Sequence, residues 1–233
     1  MTTQEFSNEF DILYDNISSN QAPGLSEYEK SVFLTNAQDA LVLELYSGKN
    51  ALGDSFEKTE EVRQYLSNIV KVTTVNKSET TTANGNISKN SHIFNIPKDM
   101  WFPVYESVTF EESDLNCTPI SNIEVVPVTH DEFSRINKNP FRKSNKNRVL
   151  RLNISGKIEL VSDYTIKSYV IRYIPILEPI ILANLEEDKL TIKDKSQEND
   201  CKLHPSLHKA ILERAVQMAK ISMGLYSVGK QEQ

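Results

Sequence analysis

Cys201-x-x-His204-x-x-x-His208 is the densest set of metal-binding side chains in the sequence. A thiolate and two imidazoles suit zinc, and residues four apart on a helix share a face. A structural zinc takes four protein ligands, however, and the other cysteine, Cys117, is far away in the chain. Pro205 also sets His204 at a helix cap, not on the helix body. Without a metal, His208 reads as a surface helix residue and His204 as a neighbour of the cap. A small zinc-binding protein using Cys201, His204 and His208 is therefore the alternative, and no cofactor or metal is the expectation.

Two further groups could act chemically. His130-Asp131-Glu132 sets an imidazole beside two carboxylates, a mix that serves acid–base catalysis. It equally reads as a helix start, where acidic side chains favour the positive end of the dipole. Asn139-Pro-Phe-Arg-Lys-Ser-Asn-Lys-Asn-Arg148, followed by Arg151, is a basic run in an acidic protein. It would meet an acidic neighbour or passing DNA, or be a solvated hairpin loop. Phe141, next to Pro140, is an apolar anchor within it and favours a protein partner. The candidate contacts from this run are Phe141, Arg142, Lys143, Arg148 and Arg151. Walker loops, dinucleotide fingerprints, HExxH and GxSxG do not occur, and with seven glycines and four histidines an enzyme is not expected.

The elements that would carry these groups follow from periodicity. Phe6, Phe10, Leu13 and Ile17 fall on one helix face, and Thr2 with Glu5 forms a capping box. A second helix starts at Ser26, again with a Glu three residues on, and stops at Gly48. Its stripe runs through Tyr28, Val32, Phe33, Ala37, Leu41 and Leu45, with Phe33 and Leu41 as interface candidates. A third spans Phe56 to Val70 around Val62, Tyr65, Leu66 and Ile69.

After Val70 the period becomes two. The polar stretch from 72 to 94 reads as an exposed hairpin or arm, turned at Asn84-Gly85. Strands follow at Trp101–Phe110 and Ile123–Val128. Val149–Ile154 and Lys157–Val161 form a hairpin across Ser155-Gly156, and Tyr169–Ile174 is apolar on both faces as a central strand is. A last helix carries Leu207, Ile211, Ala215 and Met218 on one face. The class is α+β: a helical subdomain over 1–70, an antiparallel β region with its arm over 71–203, and a C-terminal helix with a polar tail over 204–233.

Net charge is −6, which argues against a general nucleic-acid binder. No signal peptide is visible, and the longest apolar stretch, Ile171 to Leu182, is broken by Arg172, Glu178 and two prolines, too short for a bilayer. Two unpaired cysteines in a chain this long suit a reducing compartment, so cytosol-like conditions and no membrane partner are expected.

With these elements placed, the sequence resembles structural proteins of crAss-like tailed phages that infect gut Bacteroides. Four sets of segments carry the likeness, in the family's order and over nearly the whole chain. They are Glu5–Tyr14 with Ala22–Gln38; Ser55–Leu66; Pro127-Val-Thr-His-Asp-Glu-Phe133 with Asn139–Phe141; and Arg172–Ile174 with Pro179–Leu182, Leu203-His-Pro-Ser-Leu-His208 and Ala215–Val216. Pro175-Ile-Leu-Glu178 departs from the likeness in being less basic. The resemblance implies a virion component of the neck, a head–tail connector ring that joins the portal vertex to the tail and lets double-stranded DNA pass without sequence-specific contacts. It further implies a cyclic homo-oligomer, a dodecamer, that contacts the portal protein and other neck or tail proteins. A tail hub or cargo protein is the other virion role. The arm, with Asn84 and Gly85, would then reach over a neighbouring subunit.

Overall fold

The structure, a computed structural model, describes residues 1–15, 24–48, 60–76, 80–81, 90–111, 121–186 and 189–224. Ile17, Phe56, Asn84, Gly85 and Cys117 lie outside them, as does the side chain of Val62. The chain divides into two compact units, one from Met1–Ile69 with Leu177–Gln233 and the other from Val70–Ile176.

The first unit is built from helices. In α1 (Thr3–Asp15) the capping box forms: the Glu5 N–H donates to Thr2 Oγ1 and the Thr2 N–H to the Glu5 carboxylate. Phe6, Phe10 and Tyr14 are buried along one face. A second box at Ser26 and Glu29 starts α2 (Glu27–Ser47), and Gly48 ends it at φ +74°, a conformation glycine adopts without a Cβ penalty. After α3 (Glu60–Ser67) the unit resumes near the C-terminus. There a 3-10 turn at Pro205–Leu207 leads into α5 (His208–Ser222), which packs on α1 and α2. Arg214 of α5 grips Glu44 of α2 with two bonds of 2.6 and 2.7 Å.

The buried face of α2 matches the predicted apolar stripe only in part: Ala37 and Leu45 are buried, but polar side chains share the face. Phe33 and Leu41 are half-buried, while Ser31, Thr35 and Gln38 are 0 to 2% exposed. The reason is the extended segment 178–182, whose backbone is buried and must find partners. Ser31 Oγ accepts from the Leu182 N–H at 3.0 Å. The Thr35 hydroxyl accepts from the Ile180 N–H at 3.1 Å and donates to the Ile180 carbonyl at 3.3 Å. Gln38 Nε2 donates to the Glu178 carbonyl at 3.0 Å. Spaced four and three apart, these polar side chains make one face of a helix do the work of a neighbouring strand. On its other edge the segment pairs with Asn199, through Ile181 in both directions at 3.0 Å and through the side chain to Pro179 O.

The second unit is an eight-stranded sheet with one helix: β1 (Lys71–Asn76), β2 (Thr80–Thr81), β3 (Ser91–Asn95), β4 (Met100–Phe110), β5 (Ile123–Pro127), α4 (His130–Lys138), β6 (Arg148–Ile154), β7 (Lys157–Val161) and β8 (Ile166–Pro175). The spatial order is β1-β8-β4-β5-β6-β7-β3-β2. Pairing is antiparallel except between β5 and β6, which run parallel because α4 carries the chain back between them. The sheet is thus mixed, where the sequence suggested an antiparallel one. The hairpin joining β6 to β7 is as expected: Ser155 and Gly156 both have positive φ, which a two-residue turn of matching twist requires.

The stretch read as one arm splits between the two ends of this order. β1 pairs with β8, while β2 and β3 lie beyond β7. Only three residues join Asn76 to Thr80, so the two edge strands approach within ~14 Å at that point. The sheet must curl to allow this. Its concave side holds one cluster with Val75 from β1, Phe94 from β3, Val108, Val149, Leu160 and Tyr169. Phe94 and Tyr169 touch ring to ring, with centroids 5.4 Å apart, although four strands separate theirs in the sheet order. On the convex side Phe133 of α4 covers Leu150, Leu152 and Val161.

Candidate subunit interface

The basic run forms an ordered loop between α4 and β6. The Asn139 carboxamide accepts from the Phe141 N–H at 3.0 Å, and the Asn139 carbonyl accepts from the Arg142 and Lys143 N–H groups. A second turn is held by Asn145, which pairs with Arg148 through both backbone groups and accepts from the Asn147 N–H at 2.8 Å. Ser144 is buried beneath them. Arg148 Nη1 then reaches the Phe141 carbonyl at 3.3 Å and ties the two turns together. On this frame Phe141 is 88% exposed, more than any other large apolar side chain among the described residues. The backbone order is already in place, so little entropy is lost when this ring is covered.

Charge surrounds it. Arg142 and Lys146 are exposed, and among the described residues no carboxylate lies within 4 Å of either. Lys143 stands 4.0 Å from Asp163. The structure thus brings Phe141, Arg142, Lys143 and Arg148 together, as the sequence suggested, and takes Arg151 away. Arg151 shares a face of β6 with Val149, two residues before it, and points to the concave side of the sheet, 7% exposed. There it binds Glu106 of β4 at 2.8 Å, and the Tyr169 hydroxyl donates to the same carboxylate. Burial and the Glu106 charge push the Tyr169 hydroxyl far above its ordinary pKa, so it stays a neutral donor. This buried trio orders the interior and is not surface.

A second exposed row lies on the convex side. Arg172 of β8 is flanked in register by Val72 of β1 and Tyr105 of β4. Val72 is 60% and Tyr105 46% exposed, and the Arg172 guanidinium lies over the Tyr105 ring, 5.6 Å from its centroid. Sequence reasoning missed this row. Its one signal was a charged residue in a strand apolar on both faces.

The metal candidates are each occupied by protein partners. The Cys201 thiol donates to Gln38 Oε1 at 3.4 Å, and burial pushes its pKa up to about 11, where it is a poor thiolate. His204 caps the 3-10 turn by accepting from the Ser206 N–H, and its ring lies against Tyr65. His208 is not a surface residue: it is 5% exposed, packed on Phe6, with Nε2 at 3.1 Å from the Leu203 carbonyl. Burial holds its pKa below the ordinary value. His130 bonds the Asn153 carbonyl at 2.9 Å, and Glu132 pairs with Arg135, so that trio serves the start of α4. No helix among the described residues is long and apolar enough to cross a membrane.

The chain matches the family model for phage tail ring protein 3/4 over residues 1–231. It is 46% identical over 224 residues to ring protein 3 of Bacteroides phage crAss001, covering 95% of this chain and 96% of that one. It is 34% identical over 225 residues to ring protein 4/5 of the same phage, covering 94% and 92%. The chain belongs to the phage tail ring protein 3/4 family and is a structural ring component of a crAss-like phage virion.

Proposed function

We propose that this protein forms a closed homo-oligomeric ring in the neck of the particle, between the portal vertex and the tail, through which double-stranded DNA passes. A ring repeats one contact by rotation, so each subunit must present two different complementary patches. The observation that carries the proposal is the ordered, solvent-facing Phe141 loop in a chain of the ring family: an anchor of this kind is built to be covered by protein. A copy number of twelve follows the resemblance, as do the portal protein and the adjoining neck or tail proteins as neighbours. No chemistry and no cofactor belong to this role.

The acidic body suits a conduit for DNA, because a wall that repels phosphates lets the duplex slide. Imaging the native particle by electron cryomicroscopy, with symmetry relaxed about the tail axis, tests the whole reading. Density for this chain as a closed ring below the portal, with a lumen poor in Lys and Arg, is the expected result. A position inside the capsid or at the tail tip would overturn the neck assignment, and a lumen lined by Lys and Arg would overturn the account of DNA passage.

A further inference from the structure

The Phe141 loop needs a complement, and the chain itself carries one. At about 100° per residue, Glu5, Asn8, Glu9, Ile12 and Asp15 share one outward arc of α1, about 120° wide, with Ile12 at its middle. Ile12 is 58% exposed, and no lysine or arginine occurs in α1. Lys30 of α2 is buried and already held by Asp11 at 2.7 Å and Glu27 at 2.9 Å, and the N-terminal ammonium of Met1 stands 4.0 Å from Glu5. This is an apolar point ringed by negative charge, of which Glu9 and Asp15 are unpaired among the described residues. The loop is an apolar point ringed by Arg142, Lys143 and Lys146.

Resting on the ring reading, we infer that the Phe141 loop of one subunit docks on the outward face of α1 of the next copy of this chain. Phe141 covers Ile12, and the loop cations meet Glu5, Glu9 and Asp15. The patches differ, so the contact is head-to-tail, which is the kind that closes into a ring or fails to close at all. Opposite charges about a buried apolar centre also set orientation and reject like-charged pairings, such as loop on loop or α1 on α1.

Zero-length carbodiimide coupling of intact virions tests this, because it joins lysine to carboxylate only where they touch. The expected result is a ladder of covalent multimers of this chain on a denaturing gel. Its dimer band, and not its monomer band, contains peptides linking Lys143 or Lys146 to Glu5, Glu9 or Asp15, and Glu9→Lys lowers their yield several-fold. A ladder whose junctions lie elsewhere, or this chain in the virion with no ladder, overturns the docking and leaves the ring reading standing. Absence of the chain from the virion overturns both.

Discussion

Thr35 offers a test of the claim that a helix face stands in for a strand. Its side chain is 2% exposed, and its hydroxyl satisfies both the N–H and the carbonyl of Ile180. Valine keeps the shape and is more apolar, so burial alone would make Thr35→Val neutral or stabilising. The hydrogen bonds say otherwise. Removing the hydroxyl strands a buried N–H, at about 1–3 kcal/mol, and loosens the Ile180 carbonyl as well, for an expected loss of about 2–3 kcal/mol. Thr35→Ser keeps both bonds and loses one buried methyl, about 1 kcal/mol. Urea unfolding followed by far-ultraviolet ellipticity reads the helices, while fluorescence of Trp101, the one tryptophan, reads the sheet from β4. The expected order of stability is wild type, then Thr35→Ser, then Thr35→Val, with the loss seen in ellipticity. Thr35→Val as stable as wild type, or more stable than Thr35→Ser, would refute the reasoning.

Other predictions concern charge and the interface. Arg151→Met leaves Glu106 buried without its cation and should cost about 3–5 kcal/mol in unfolding, most of it recovered when Glu106→Gln is added. Lys195 and Lys202 hold the Glu178 carboxyl at about 2, below its ordinary 4.5. The stability this gives is present above pH 4.5 and lost as pH falls towards 2, and Glu178→Gln should flatten that part of the profile by about 0.5–1 kcal/mol, since the group is partly exposed. For His208 the neutral form is favoured by burial, with the N-terminal amine opposing its charge and Asp200 favouring it. Stability should therefore fall as pH drops below the ordinary 6.5, and His208→Asn should remove that fall in thermal melts. Phe141→Ala should leave the unfolding midpoint unchanged and weaken subunit association by about 2 kcal/mol, roughly 30-fold, in sedimentation of the assembled protein.

Much of the fold was legible because local chemistry decided it. Both capping boxes, the stop at Gly48 and the turn at Ser155-Gly156 depend on residues within four positions of each other. What could not be read depended on distant partners. The polar stripe of α2 looks solvent-facing until segment 178–182 is laid against it, 145 residues on at Thr35 and Ile180. The split of the supposed arm between two sheet edges is a matter of topology, which alternation does not encode. At the candidate interface, Phe141 and its cations were visible as a composition anomaly. Arg151 belonged to the same run by spacing but enters β6, where the pleat turns it inward to Glu106. The outward face of α1 was overlooked because its buried face was the stronger signal.

The stripe on α2 also sets a schedule. A ribosome adding 5–20 residues per second needs roughly 7–30 s to go from Thr35 to Ile180, and α5 follows later still. Through that interval α2 has emerged without the backbone it is shaped to hold, and α1 lacks the helix against which it packs. The helical unit is thus among the last parts of each new chain to mature. On the docking proposed above, the α1 face that receives a neighbour is then braced by α5 only once the C-terminal helix has been made.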